Sequence, residues 1–157
     1  MPRTSGKRPF ADTVLIVLLV VLGVSALIPG AMFMLAPDGH LIQMPMSNLQ
    51  DSPFRDYFIP GLLLFCFVGV FPVLVAYGLW RMPAWEWPNL INPFRAQHWS
   101  WAGSLAAGVI LIIWITAQVF LIKSVAFLHY LYWGWGIVVV LLTLTSSVRQ
   151  FHEREAR

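Results

Sequence analysis

The run VLIVLLVVLGVSALI, residues 14–28, contains no charged residue. It continues past Pro29 and Gly30 into AMFMLA, residues 31–36. An α-helix rises about 1.5 Å per residue, so roughly 20 apolar residues cross the hydrocarbon core of a bilayer. The stretch therefore predicts a transmembrane helix over about residues 13–35.

Three basic residues, Arg3, Lys7 and Arg8, precede this run. A basic start followed by an apolar stretch is also the pattern of a secretory signal peptide. The apolar run is longer than the roughly 7–15 residues of a signal-peptide core. We therefore expect an uncleaved membrane helix rather than a removed leader.

Three more apolar runs of similar length follow, over about residues 58–80, 99–121 and 126–148. Of the 157 residues, 59% are hydrophobic and 11% are charged. Soluble domains carry about 25% charged residues, so this composition is typical of an integral membrane protein. The sequence predicts one all-α domain over residues 1–157, a bundle of four transmembrane helices.

Basic residues are unevenly divided between the two sides that these spans define. Two of them, Arg55 and Lys123, lie on one side. The eight on the other side are Arg3, Lys7, Arg8, Arg81, Arg95, Arg149, Arg154 and Arg157. Lys and Arg near span ends concentrate on the cytoplasmic side of membrane proteins. The division predicts that both termini are cytoplasmic, which agrees with an even number of spans.

The connection between the second and third spans, RMPAWEWPNLINPFRAQHW, residues 81–99, is rich in tryptophan and proline. Tryptophan is enriched at membrane interfaces, where its ring meets lipid and its N–H meets water. We expect this segment to lie along the membrane surface. Its basic, aromatic composition favours contact with anionic lipid headgroups, and a dedicated site for a partner protein is the alternative.

The middle of each predicted span lacks Asp, Glu, Lys and Arg, which argues against an ion-coupled transporter.

Cys66 is the single cysteine, so a thiol oxidoreductase with a Cys-x-x-Cys pair is excluded, and we expect Cys66 to pack as a small apolar side chain. No histidine lies in the apolar middle of a predicted span. No haem, metal or other cofactor is therefore predicted. The scattered basic residues argue against nucleic acid as a partner.

Polar residues collect on the predicted exterior side, before the second span and around the start of the fourth. If they converged, they would supply acid, base and hydrogen-bonding groups to a ligand. No catalytic residue is assigned among them. The candidate ligand-binding residues are Asp51, Arg55, Asp56, Tyr57, Lys123, His129 and Tyr130.

A purely structural role is the alternative for the same residues. Asp51 or Ser52 would cap a short helix that has Pro53 at its first position. Asp56 would then pair with Arg55 or Lys123 near the lipid headgroups. Spacing along the sequence does not decide between this and a ligand site.

Small residues predict where the last two spans touch other helices, because helices in lipid approach closely only where side chains are small. The predicted contact residues are Gly103, Ser104, Ala107, Gly108, Gly134 and Gly136.

Three segments, QMPMSNLQ (residues 43–50), SPFRDYFIPGLLLF (52–65) and WITAQVFLI (114–122), resemble a group of small, uncharacterised four-span bacterial membrane proteins. The resemblance implies the bacterial cytoplasmic membrane as the location and implies no enzymatic residues. A more distant similarity to DoxX-like four-helix membrane proteins rests on span count and on the use of glycine and proline.

These observations lead to two hypotheses about function. The first is a non-enzymatic multi-pass membrane protein that acts as an accessory or assembly component or binds lipid. The second is an enzyme or carrier that handles a small molecule or lipid through the exterior polar residues. Membrane lipids are the expected partners, with a larger membrane complex or a homo-oligomer as further alternatives.

Overall fold

The computed structural model describes residues 7–123 and 126–153, and within them the chain is helical with no strand. We number the helices in chain order. They are α1 (Phe10–Leu35), α2 (Phe58–Arg81), α3 (Trp87–Leu90), α4 (Trp99–Ile122), α5 (Phe127–Leu144) and α6 (Ser146–Phe151). Helices α1, α2, α4 and α5 are each long and apolar enough to cross a membrane. The predicted four-helix, all-α membrane fold is confirmed.

The four long helices run alternately up and down, so the bundle has two ends. The Asp12 end holds the start of α1, the α2–α4 connection with α3, and α6. The Tyr57 end holds the α1–α2 connection, which contains two short 3-10 turns, His40–Ile42 and Met46–Leu49, and the short α4–α5 connection.

Glycines bring α1 and α2 into backbone contact. A Cβ added at Gly30 would lie 2.9 Å from both the backbone nitrogen and the Cβ of Phe65. A Cβ added at Gly23 would lie 2.7 Å from the carbonyl oxygen of Gly69, which real side chains do not permit. Small residues allow such close approach in lipid, where the hydrophobic effect does not drive helices together.

Helices α4 and α5 meet through the predicted glycines Gly108 and Gly136. A Cβ at either position would lie 3.0 Å from the carbonyl oxygen of the other. Toward the Asp12 end the same interface is polar, because the Thr143 hydroxyl lies 3.1 Å from the buried Ser104 hydroxyl. The prediction for Gly134 is wrong: a Cβ there meets nothing within 4 Å, so this glycine faces open space.

Helix α2 contains a π-helical segment, Leu64–Val70, in its middle. Pro72 follows it and has no N–H to donate to the turn before, so a widened turn accommodates the proline without breaking the helix. Cys66 lies in this segment and is exposed, so the expectation that it is a packed side chain is wrong.

Two predicted helix boundaries differ from the structure by more than one residue. Helix α1 begins at Phe10, three residues before the predicted span, and thereby includes Asp12. Helix α5 ends at Leu144, short of the predicted residue 148, because Thr145 is extended with ψ 141°. The Trp101 indole donates to the Thr143 carbonyl oxygen at 2.8 Å and so satisfies one of the last carbonyls of α5.

Candidate functional site

Tyr57 anchors the α1–α2 connection to the bundle. Its ring is buried and stacks on Phe33 with ring centroids 4.7 Å apart, and its hydroxyl donates to the Pro45 carbonyl oxygen at 2.8 Å. Burial raises the pKa of the Tyr57 hydroxyl above its ordinary value of 10.0, so the group stays a donor at physiological pH. The tyrosine holds the connection in place.

The charged candidates at the Tyr57 end are exposed or engaged with the backbone. Lys123 pairs with Asp51 at 2.7 Å, and both side chains are more than half exposed. Asp56 accepts the Phe58 backbone N–H at 2.9 Å at the start of α2, and Arg55 is exposed. The predicted pairing of Asp56 with Arg55 or Lys123 is therefore wrong. No helix begins at Pro53 either, since the chain there forms bends.

His129 and Tyr130 lie in the first turn of α5. The His129 Nδ1 accepts the Ala126 backbone N–H at 2.9 Å, which caps the helix. A ring nitrogen that accepts a hydrogen bond carries no hydrogen, so in neutral His129 the hydrogen lies on Nε2. Tyr130 is 65% exposed. The structure thus brings Asp51 to Lys123 and places His129 beside Tyr130, while Tyr57 is occupied in the core.

Two grooves flank α5 on the outer surface of the bundle. The first, of about 390 Å³, lies between α1 and α5. It is lined by Leu18, Tyr130, Leu131, Gly134, Trp135 and Val138. The second, of about 200 Å³, lies between α4 and α5 and is lined by Ile115, Thr116, Val119, His129, Tyr130 and Trp133. Tyr130 lines both, and the open space at Gly134 deepens the first.

The Asp12 end contains a buried ionic cluster that sequence reasoning missed. Asp12 is fully buried, and its carboxylate accepts hydrogen bonds from Arg8 and from the His152 Nε2, the latter at 2.8 Å. His152 is 1% exposed. Since no substrate reaches side chains so enclosed, we assign this Asp12 cluster a structural role.

Arg8 links the cluster to α2. Its guanidinium donates to the Leu79 and Trp80 carbonyl oxygens at 3.2 and 2.7 Å, near the C-terminal end of α2, where carbonyls lack partners within the helix. His152 links the cluster to α4, because its carbonyl oxygen accepts the His98 backbone N–H at 2.9 Å. Four chain segments are therefore joined at one end of the bundle.

One sequence signal could have located this cluster. Arg8 and Asp12 are four residues apart, the spacing of an ion pair on a helix, and Asp12 borders the longest apolar run. A carboxylate at the edge of a membrane helix needs a partner. His152 gives no comparable signal, since it lies 140 residues from Asp12.

No protein-family model, no curated protein and no solved structure matches this chain.

Proposed function

We propose that this chain is a multi-pass protein of the bacterial cytoplasmic membrane that has both termini in the cytoplasm and acts without catalysis, as an accessory component that binds membrane lipid beside α5. The proposal rests on the groove between α1 and α5. Its volume of about 390 Å³ falls within the roughly 300–1,000 Å³ of small-molecule sites. Its lining is apolar and aromatic, which suits an acyl chain.

The polar candidates support a non-enzymatic role. Asp56 and His129 each accept a backbone N–H of this chain, and Tyr57 donates to a backbone carbonyl. In neutral His129 the Nδ1 lone pair is occupied and Nε2 carries the hydrogen, so neither nitrogen is free to act as a general base.

The alternative is an enzyme or carrier that handles a small molecule or lipid at the Tyr57 end. One observation favours it: His129 and Tyr130 line the α4–α5 groove beside Trp133, whose indole donates to the Thr116 hydroxyl at 3.2 Å. Polar groups at the mouth of an apolar groove would orient a lipid headgroup. Both proposals therefore place a ligand next to α5. They differ in whether that ligand is bound membrane lipid or a molecule that the protein converts or carries.

Filling the α1–α5 groove tests lipid binding. Leucine at position 134 would project into space where a Cβ has no neighbour within 4 Å, so we expect the Gly134→Leu variant to fold normally. It should bind lipid about tenfold more weakly, the effect of losing roughly 1.4 kcal/mol of contacts. The measurement is native mass spectrometry of lipid retained by the detergent-purified protein.

The matched control is Val109→Leu, which adds a methylene to an exposed position of α4 outside both grooves. It should retain as much lipid as the natural chain. Equal lipid retention by the Gly134 and Val109 variants would contradict binding in this groove.

The proposed orientation rests on the basic residues. Lys7, Arg8, Arg81, Arg95 and Arg149 belong to the Asp12 end, whereas Arg55 and Lys123 belong to the Tyr57 end. By the positive-inside rule, the Asp12 end is the cytoplasmic one.

Thiol labelling with a membrane-impermeant reagent checks this orientation. In a Cys66→Ser background, Gln50→Cys should react from outside intact spheroplasts, and Gln150→Cys only after permeabilisation, since both positions are exposed. The opposite pattern would overturn the orientation. Labelling of both from one side would overturn the four-span topology.

A further inference from the structure

The α2–α4 connection buries two amide side chains and exposes several large apolar ones. Asn92 and Gln97 are buried, with 7% and 3% of their surface exposed. Leu90 and Ile91, by contrast, are 87% and 79% exposed. We call the outward residues Trp87, Leu90, Ile91 and Phe94 the α3 patch. In water this arrangement is the reverse of the usual one, so the α3 patch indicates apolar surroundings.

Hydrogen bonds explain why the Asn92 side chain faces inward. The Asn92 amide donates to the Gln97 carbonyl oxygen at 3.0 Å, and its own oxygen accepts the Phe94 N–H at 3.0 Å. The Asn89 amide donates to the Trp85 carbonyl oxygen at 2.7 Å. These hydrogen bonds join residues within the connection. The α3 patch lies on the outer surface of the connection.

Stacked rings fix the connection against the bundle. The Trp85 ring lies between Tyr77 of α2 and Trp99 of α4, with centroid separations of 5.9 and 5.5 Å. It also stacks on Trp87 at 6.2 Å. Because Tyr77 and Trp99 lie near the ends of long helices, the α3 patch is held at the level of those helix ends.

The charge around the α3 patch is positive. Arg81 precedes it and Arg95 follows it, and both are exposed. The Arg81 guanidinium lies 4.9 Å from the centre of the Trp80 ring, an arrangement that suits the interface between lipid and water. Over residues 7–123 and 126–153, the exposed cations of this end are Lys7, Arg81, Arg95 and Arg149, and its exposed carboxylates are Glu86 and Glu153.

We propose that the α3 patch inserts into the membrane leaflet at the Asp12 end and that Arg81 and Arg95 bind the phosphates of anionic phospholipids there. The apolar patch accounts for insertion, and the flanking cations account for the preference for an anionic lipid. This surface is separate from the grooves beside α5. It anchors α3 to the membrane and selects lipid by headgroup charge.

A nitroxide label on the α3 patch tests the insertion. The full chain, with Cys66→Ser and Leu90→Cys, is reconstituted in vesicles of equal parts phosphatidylcholine and phosphatidylglycerol. Electron paramagnetic resonance measures how often the label collides with each of two reagents. One is oxygen, which enters lipid, and the other is a water-soluble nickel chelate. We expect the label at position 90 to meet oxygen and to be protected from the chelate, and Ile91→Cys to behave alike.

The matched control is Glu86→Cys, an exposed polar position of the same connection. Its label should meet the chelate freely. If the labels at positions 90 and 91 meet the chelate as readily as the label at position 86, insertion is wrong and the α3 patch is open to water, as a surface for a partner protein would be.

A charge variant tests the headgroup preference. Each basic residue near an anionic surface contributes about fivefold to binding, so Arg81→Gln with Arg95→Gln should lower the preference for spin-labelled phosphatidylglycerol over phosphatidylcholine by roughly 25-fold at most. Arg55→Gln, which removes an exposed arginine from the Tyr57 end, should leave the preference unchanged. An unchanged preference in the double variant would overturn the role of the arginines.

Discussion

Replacing Asp12 with alanine is expected to lower the free energy of unfolding by about 3–5 kcal/mol, the cost of removing one partner from a buried ion pair. Asp12 is fully buried and accepts hydrogen bonds from both Arg8 and His152. Without the carboxylate, the His152 N–H loses its acceptor in a region that water does not reach, and Arg8, whose side chain is only partly buried, loses its charged partner.

The effect of Asp12→Ala should be largest at the C-terminal end of the described chain. Helix α6 (Ser146–Phe151) directly precedes His152, which holds it to α1. We therefore expect faster hydrogen–deuterium exchange in α6, together with unfolding at lower denaturant in a detergent titration followed by circular dichroism.

Glu86→Ala is the control, because Glu86 is an exposed carboxylate at the same end. Its effect should stay within about 0.5 kcal/mol. The double variant Asp12→Ala with His152→Ala should lose less free energy of unfolding than the sum of the two single variants, since both changes remove the same interaction. Additive losses would show that the two side chains stabilise the fold independently.

Gly30→Ala is the second change with a large expected effect, a loss of about 1–3 kcal/mol. The new Cβ would lie 2.9 Å from the Phe65 backbone nitrogen and 3.0 Å from its Cα, so the neighbour cannot yield by changing a side-chain rotamer. Helices α1 and α2 would have to separate. The measurement is the same detergent titration.

Gly134→Ala is the matched control for Gly30→Ala. It makes the same chemical change on a membrane-spanning helix, but its Cβ has no neighbour within 4 Å. Alanine favours helix over glycine by up to about 1 kcal/mol, so this variant should be as stable as the natural chain or more stable. If Gly30→Ala were equally harmless, the close contact of α1 with α2 would not matter for stability.

The four spans were predictable because hydropathy is a local property. A run such as residues 14–28 identifies a membrane helix whatever it packs against. The contact of Gly108 with Gly136 was predictable for a related reason, since α4 and α5 are consecutive and joined by a short connection. The glycines of α1 and α2 carried a similar signal, with Gly23 and Gly30 seven residues apart on one helix face.

The candidate site was less predictable. The sequence places seven polar residues on one predicted side of the membrane, but their side-chain partners depend on the path of the connections. Asp51 reaches Lys123, whereas Asp56 turns back to the start of its own helix. The grooves beside α5 depend on the distances of α5 from α1 and α4. These distances cannot be read from the sequence of any single helix.

The membrane environment of this protein and the number of its long helices follow from the amino-acid sequence, because apolar length and charge are summed along the chain. Three other features were visible only in the folded chain: Asp12 meets His152 across 140 residues, Gly134 faces open space, and the connection around α3 exposes large apolar side chains. These features arise from contacts between distant segments. Local composition sets which side chains are available, and packing decides which of them meet.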